Sequence, residues 1–253
     1  MAIGVFDSGI GGLTVFRTIA KEFPKLDIYY FGDTARVPYG IRSKDTIIKY
    51  TSECIDYLVK HYNLEAIVIA CNSASSYAID SLKSKFNLPV LGVIDPGVRA
   101  ALSATKTNNL LVIGTKATVN SNAYPNKIKQ ISPSTKVYQQ ACPLFVPIVE
   151  EGLFKHKVAE IMVKEYLSPY IDKVDTVILG CTHYPLLKDT ILKLYPNLNL
   201  VDSSIAILDD LRNLQITFNE SGKRLIHITD KTQSFETLKN LLAENTTYKV
   251  ISL

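Results

Sequence analysis

The sequence predicts an α/β fold of two similar domains, each a mostly parallel sheet flanked by helices, and three observations predict it. Short apolar, β-branched runs alternate with helical periodicity along the chain, as in parallel sheets with right-handed crossovers. The length of 253 residues suits two domains better than a single core. Buried runs at 66–70 and 175–179 are both followed closely by a cysteine and small polar residues, so we expect the two halves to share one plan.

The first half of the chain predicts four strands and three helices. Pro24 ends the first helix, and Ser43 is placed to cap the second. Residues 94–97, Ile-Asp-Pro-Gly, break the alternation and predict a domain border. The predicted strands are 2–6, 27–31, 66–70 and 89–93, and the predicted helices are 13–23, 43–62 and 75–86.

The second half repeats this alternation, and a tail follows it. Residues 142–152 form a predicted apolar loop that carries Glu150 and Glu151, and Asp202 with Ser203 caps a further helix. The predicted strands are 109–113, 135–139, 175–179 and 197–201, and the predicted helices are 119–131, 158–170 and 186–194. The tail predicts a strand at 224–228, a helix at 232–242 and a strand at 248–251.

Composition and charge exclude several classes of function. The net charge of +4 is spread without a basic run, which argues against a nucleic-acid partner. No apolar run reaches the roughly 18 residues that span a bilayer, and the N-terminus lacks the features of a signal peptide. We therefore expect a cytoplasmic protein whose cysteines are free thiols, namely Cys54, Cys71, Cys142 and Cys181.

Cys71 and Cys181 are the candidate catalytic groups, because each lies between a buried strand and a helix, where a thiol pKa is lowered. Cys54 and Cys142 are predicted to be buried residues of the hydrophobic core. Two matched thiols suit a racemase, which needs an acid/base group on each face of one carbon. A thiol hydrolase using Cys181 and His183 would leave Cys71 unexplained. A non-enzymatic amino-acid-binding module would not need either thiol.

Small polar residues recur at the predicted strand ends and helix starts. Hydroxyl and amide groups in such places bind carboxylates, so their recurrence suits a dicarboxylic substrate. Asp7 and His183 are the polar partners expected beside the two thiols. The recurring residues are Ser8, Asn72, Ser73, Thr118 and Thr182.

The sequence lacks the residue spacing that a dinucleotide site or a metal site would require. A dinucleotide fingerprint that begins at Gly9 and Gly11 requires glycine at position 14, which is Thr14. We expect the glycines instead to turn the chain and hold Asp7 and Ser8 at the cleft. A metal site at Cys181 and His183 lacks a third ligand, so we expect no metal.

Four segments together resemble the bacterial glutamate racemase family: 5–12, 32–40, 70–74 and 179–185. Ser73 departs from the threonine usual in that family, but it keeps the hydroxyl. The resemblance implies cofactor-independent interconversion of L- and D-glutamate, which supplies D-glutamate for peptidoglycan. It also implies a homodimer, and two domains of residues 1–95 plus 205–253 and 96–204 with the active site in the cleft between them.

The resemblance also implies residue roles. Cys71 would act on D-glutamate and Cys181 on L-glutamate, assisted by Asp7 and His183, with Glu150 or Glu151 near the substrate ammonium. The substrate would be held, besides Asp7 and His183, by Ser8, Pro38, Tyr39, Gly40, Asn72, Ser73, Thr118 and Thr182. The alternative is an aspartate racemase of the same superfamily, in which an acidic residue commonly replaces the histidine at position 183.

Overall fold

A computed structural model of the chain describes residues 2–214 and 221–253. Met1 and residues 215–220, which fall within the predicted first domain, lie outside the described residues. The strands are β1 (Ala2–Asp7), β2 (Asp27–Gly32), β3 (Leu64–Ile69), β4 (Val90–Gly92), β5 (Asn109–Gly114), β6 (Lys136–Ala141), β7 (Thr176–Gly180), β8 (Asn199–Asp202), β9 (Arg224–Ile228) and β10 (Thr247–Val250). The helices are α1 (Leu13–Glu22), α2 (Lys44–His61), α3 (Asn72–Tyr77), α4 (Ile79–Lys85), α5 (Ile94–Ala104), α6 (Lys116–Asn120), α7 (Ala123–Ile131), α8 (Phe145–Glu150), α9 (Lys157–Leu167), α10 (Lys188–Leu194), α11 (Ser203–Asn213) and α12 (Gln233–Ala243).

The described strands form two parallel sheets that repeat one strand order. The larger sheet runs β10-β9-β2-β1-β3-β4 and the smaller runs β6-β5-β7-β8. The order β2-β1-β3-β4 of the first sheet therefore returns as β6-β5-β7-β8 in the second, and every pairing is parallel. The predicted α/β class with two similar halves is confirmed.

The strands that bring the thiols to the site are apolar because helices cover both faces of each sheet. All residues of β1 and β7 are buried, and so are the last four of β3. Val5 of the first sheet and Ile113 of the second belong to the same cluster of buried side chains. The two sheets are thus packed together, which holds their carboxyl ends in a common region.

Two expectations about secondary structure are wrong for the same physical reason. The strand–helix alternation is not broken at 94–97, where α5 begins, and the predicted loop 142–152 contains α8. Each helix has a proline as its third residue, Pro96 and Pro147. The first N–H groups of a helix have no intrahelical acceptor, so proline is tolerated in the first turn. The domain border expected at 94–97 stays a prediction.

The remaining differences concern where helices begin and end. The helix predicted over 119–131 is divided into α6 and α7 at Asn122, whose φ of 54° interrupts the helical backbone. The helix predicted from 75 begins at Asn72, directly after Cys71. The Ser43 cap is confirmed, since its Oγ accepts from the N–H of Thr46 at 3.3 Å. Within residues 2–214 and 221–253, none of the helices has the length and apolar character needed to span a bilayer.

Candidate active site

The carboxyl ends of the two sheets enclose a cavity of about 240 Å³. Both candidate thiols line it, although Cys71 is only 5% exposed and Cys181 only 7%. Of the remaining predicted site residues, those that line the cavity are Ser8, Pro38, Tyr39, Gly40, Asn72, Ser73, Glu150, Thr182 and His183. The structure therefore brings residues from four separated sequence segments, and Glu150, to one place.

Cys71 follows β3 and caps α3. Its Sγ donates to Ser8 Oγ at 3.3 Å and accepts from the N–H of Ala74 at 3.5 Å. Burial and, next, the negative charge of Asp7 raise the pKa of Cys71 to about 12, against the effect of these two hydrogen bonds. The surroundings of Cys71 therefore favour the protonated thiol.

Asp7 lies beneath the cavity rather than on its wall. Its carboxylate is fully buried and accepts from the N–H of Gly9 at 3.0 Å and from Thr182 Oγ1 at 3.3 Å. Burial raises the pKa of Asp7, while the charge of His183 lowers it. Asp7 thus links the strand end beside Cys71 to the residue that follows Cys181.

Cys181 follows β7 and faces a histidine held by a carboxylate. Its Sγ lies 3.8 Å from His183 Nδ1, and His183 Nε2 lies 2.9 Å from Glu150 Oε1. Burial lowers the pKa of His183, but its interactions with Cys181 and Glu150 outweigh burial and raise it to about 10. At neutral pH the imidazole is therefore a cation between the sulfur and the carboxylate, which suits a thiolate at Cys181.

Helix α8, which the sequence did not predict, settles which glutamate faces this histidine. Glu150 is the last residue of α8 and lines the cavity, whereas Glu151 is exposed and does not line it.

The glycines after β1 make room for the second half of the site. A Cβ on Gly11 would lie 2.3 Å from His183 Nδ1 and 2.5 Å from Thr182 Oγ1. Gly11 is therefore needed so that the turn after β1 can approach the Cys181 side closely.

The loop between β2 and α2 forms another wall of the cavity through Pro38, Tyr39 and Gly40. The Tyr39 hydroxyl donates to Asp33 Oδ2, and Arg36 Nε donates to the same oxygen at 2.7 Å. Asp33 is fully buried, so this pair of bonds fixes the loop to the end of β2.

Residues 3–210 match the model of the Asp/Glu/Hydantoin racemase family. The chain belongs to that family. It is 56% identical over 243 residues to the glutamate racemase of Sulfurihydrogenibium sp. (strain YO3AOP1), an alignment that covers 96% of this chain and 94% of that protein. The resemblance seen in the four sequence segments is confirmed.

Solved structures agree with this assignment. The glutamate racemase isoform RacE1 from Bacillus anthracis matches with a TM-score of 0.92 and 35% identity, covering 100% of this chain and 97% of that one. The glutamate racemase of Francisella tularensis subsp. tularensis SCHU S4, solved in complex with D-glutamate, matches with a TM-score of 0.90 and 36% identity, covering 99% and 97%. The fold is therefore the one adopted by solved enzymes of the Asp/Glu/Hydantoin racemase family.

In this member of the Asp/Glu/Hydantoin racemase family, a cluster of hydroxyls joins the two halves. Ser73 Oγ lies 2.9 Å from Thr115 Oγ1 and 3.4 Å from Thr118 Oγ1, and the two threonine oxygens are 3.1 Å apart. Thr115 lines the cavity, whereas the predicted Thr118 is fully buried behind it. Thr115 was missed, although the rule that polar residues follow strand ends applies to it as well as to Thr118.

Asn72 is held by Tyr124, a residue that no sequence pattern marks as part of the site. Its Nδ2 donates to the hydroxyl of Tyr124 at 2.9 Å. Tyr124 lies on α7 with its side chain fully buried, so in the sequence it cannot be told from an ordinary core residue of an amphipathic helix.

Proposed function

We propose that the protein racemises glutamate without a cofactor, by proton removal from one face of Cα and proton delivery to the other. The observation that carries the proposal is that Cys71 and Cys181 reach one cavity from equivalent strand ends of two sheets. A racemase needs two acid/base groups that approach a single carbon from opposite sides.

Glutamate is the substrate that the comparisons support. The relatives described above are glutamate racemases, and one of them was solved in complex with D-glutamate. The hydroxyls of Ser8, Ser73, Thr115 and Thr182 line the cavity and can hydrogen-bond the carboxylates of a dicarboxylic amino acid. Glu150 supplies a negative charge for its ammonium group.

The proton transfers use the two thiols in opposite states. With L-glutamate bound, the Cys181 thiolate takes the Cα proton, and the electron pair of the C–H bond passes to Cα. The Cys71 thiol then gives its proton to the other face of Cα, which leaves D-glutamate, a Cys181 thiol and a Cys71 thiolate. The reverse reaction exchanges these roles, and Ser8 can then donate to the Cys71 thiolate.

The resting protonation state of the site suits the direction from L- to D-glutamate. The pKa of Cys71 is raised to about 12, so this residue enters as the acid. The cationic His183 lies beside the sulfur that must be ionised, and Glu150 holds the imidazole in place. In this proposal His183 assists Cys181 and Asp7 assists Cys71, supported by the imidazole beside Cys181 and by the effect of the Asp7 charge on Cys71; Asp7 also accepts from Thr182 Oγ1.

Incubation with L-glutamate in deuterated water tests the proposal. We expect deuterium at Cα and loss of optical rotation, followed by mass spectrometry and polarimetry. L-Aspartate in a parallel reaction tests the alternative substrate, and faster turnover of aspartate would overturn the assignment to glutamate. A thiol hydrolase or a binding module would produce neither deuterium at Cα nor loss of rotation.

The cellular role and assembly complete the proposal. We place the protein in the cytoplasm as the source of D-glutamate for peptidoglycan, acting as a homodimer of two-domain subunits divided at 1–95 plus 205–253 and 96–204. Rescue of a bacterial strain that requires added D-glutamate tests the role. Light scattering on the purified protein tests the homodimer, and a mass of one subunit would contradict it.

A further inference from the structure

Tyr124 occupies the space between the two strand ends that carry the thiols. It lies on α7 of the second half, and its side chain is completely buried. Its ring packs beside Gly180 and Gly97: a Cβ on Gly180 would be 3.4 Å from Cε2, and one on Gly97 would be 3.5 Å from Cε1. Gly180 directly precedes Cys181, so the ring of Tyr124 rests against the strand that ends in that thiol.

The hydroxyl of Tyr124 reaches across to the first half. It accepts from Asn72 Nδ2 at 2.9 Å and lies 3.3 Å from Ser203 Oγ. Because the hydroxyl accepts from Asn72, its own proton is free to be donated to Ser203. Burial raises the pKa of Tyr124 to about 12 against the effect of these two bonds, so the hydroxyl remains neutral at physiological pH.

Asn72 is the residue through which this contact reaches the cavity. It directly follows Cys71, lines the cavity and is only 3% exposed. A buried amide without its hydrogen-bond partner would turn or recruit water, since an unpaired buried polar group is costly. The Tyr124 hydroxyl therefore fixes the plane of an amide that faces the substrate.

We propose that Tyr124 is a positioning residue of the site, which acts by holding the Asn72 amide beside Cys71 while its ring is seated against the strand before Cys181. The proposal rests on the racemase function proposed above. Through this hydrogen bond, Tyr124 of the second half fixes the orientation of Asn72 of the first half, which lines the cavity.

The substitution Tyr124→Phe tests this proposal, because it removes the hydroxyl and keeps the ring. Asn72 contacts the substrate rather than the migrating proton, so it should bind the substrate and the transition state equally well. Its misplacement should therefore raise KM with little change in kcat. We expect KM for glutamate to rise about five- to tenfold in both directions, the effect of one lost hydrogen bond. Tyr62→Phe is the matched control, since it removes a tyrosine hydroxyl bonded to the buried His227 Nε2 at 2.7 Å, away from the cavity.

A double-mutant cycle separates positioning from general destabilisation. In an Asn72→Ala background, Tyr124→Phe should change kcat/KM by less than about twofold, because the group it positions is already absent. An equal loss in both backgrounds would overturn the proposal, as would an unchanged KM in Tyr124→Phe. Wild-type protein that leaves glutamate unchanged would refute the racemase function and this inference together, whereas active wild type with an unaffected Tyr124→Phe refutes the inference alone.

Discussion

Cys71 and Cys181 leave equivalent strands of the two sheets, β3 and β7, but they have different neighbours. Cys71 has a neutral hydroxyl partner, Ser8, and burial together with the carboxylate of Asp7 raises its pKa. Cys181 faces an imidazole whose other nitrogen is bound by a carboxylate. The repeated strand order brings the thiols to matching places, and the turns after the strands place different charges beside them: a cationic imidazole near Cys181 and a buried carboxylate near Cys71.

The difference teaches that a repeated fold can supply two like groups and still surround them with opposite charges. The cation on the Cys181 side stabilises a negative sulfur, while burial and a nearby negative charge oppose one at Cys71. For the proposed reaction this is useful, because one thiol must start as base and the other as acid.

The largest expected effect comes from removing either thiol. We expect Cys71→Ala and Cys181→Ala each to lower the rate of racemisation by about 10³-fold or more, since general acid–base catalysis is worth about 10² to 10⁴ per group. The single thiol that remains can still exchange a proton on its own face. In deuterated water, Cys71→Ala should therefore label L-glutamate and Cys181→Ala should label D-glutamate, without racemisation.

Cys142→Ala is the control for these variants, because Cys142 is buried and free but does not line the cavity. It should keep wild-type racemisation. Racemisation that survived the loss of Cys71 or Cys181 would rule out the two-base mechanism.

Loss of the cation on the Cys181 side should have the next largest effect. We expect His183→Gln to lower kcat from L-glutamate by about 10²-fold, because the cationic imidazole beside Cys181 Sγ would no longer stabilise its thiolate. In wild type the pKa of His183 is raised to about 10, so the imidazole is protonated below that pH. Rate profiles should show a decline of activity near pH 10 in wild type, and the persistence of that same decline in His183→Gln would assign it to another group.

The same histidine should make stability depend on pH. Its pKa is about 10 in the folded protein against 6.5 for an ordinary histidine, so its contribution is complete below pH 6.5 and is lost as the pH rises towards 10. Compared with wild type, His183→Gln should lower the free energy of unfolding by on the order of 2 kcal/mol at acidic to neutral pH and by much less at the alkaline end. Urea unfolding across this range measures the difference, and a gap that widened with pH would contradict it.

Gly11→Ala, a change in the first half of the molecule, should displace side chains beside Cys181 in the second half. The new Cβ would meet His183 Nδ1 at 2.3 Å and Thr182 Oγ1 at 2.5 Å, so both side chains must move. We expect a loss of about 1 to 3 kcal/mol in stability and a loss of kcat on the order of 30-fold, because misplaced groups react poorly. Gly4→Ala is the control: its Cβ would meet the movable side-chain ends of Leu64 at 2.9 Å and Leu58 at 3.2 Å, and equal losses of activity in the two variants would exclude a specific effect.

Ser8→Ala should have the smallest effect, and on the Cys71 side. The hydroxyl stabilises the Cys71 thiolate, and a hydrogen bond to a charged group is worth about 1.5 to 3 kcal/mol. We expect kcat from D-glutamate to fall about tenfold, with a smaller change in kcat from L-glutamate. Steady-state kinetics in both directions measures this, and an equal fall in both kcat values would speak against a role at Cys71.

The sequence predicted the parts of the site that follow from strand ends. Polar residues directly after buried strands meet at one edge of parallel sheets, so Cys71, Cys181 and their neighbours could be placed together. Helix α8 was missed because Pro147 reads as a breaker until its first-turn position is known. The sequence could not show whether Glu150 or Glu151 faces the cavity, because adjacent residues differ only in the direction in which their side chains leave the backbone.

Contacts between distant segments were beyond the sequence for a different reason. Thr182 and Asp7 are 175 positions apart, and Tyr124 is 52 positions from Asn72. Neither pair has a spacing that periodicity could reveal, because each depends on how the two sheets pack. The two candidate thiols could therefore be chosen from the sequence, whereas the charges around them could be seen only in the structure.

Thermodynamics limits the effect that the different neighbours of Cys71 and Cys181 can have on the reaction. L- and D-glutamate are mirror images with equal free energies in water, so any racemase must bring them to equal concentrations. Detailed balance then requires kcat/KM to be the same from either enantiomer, whatever groups surround each thiol. The cation beside Cys181 can set which enantiomer binds more tightly and which proton transfer limits the rate, but it cannot enrich one product at equilibrium.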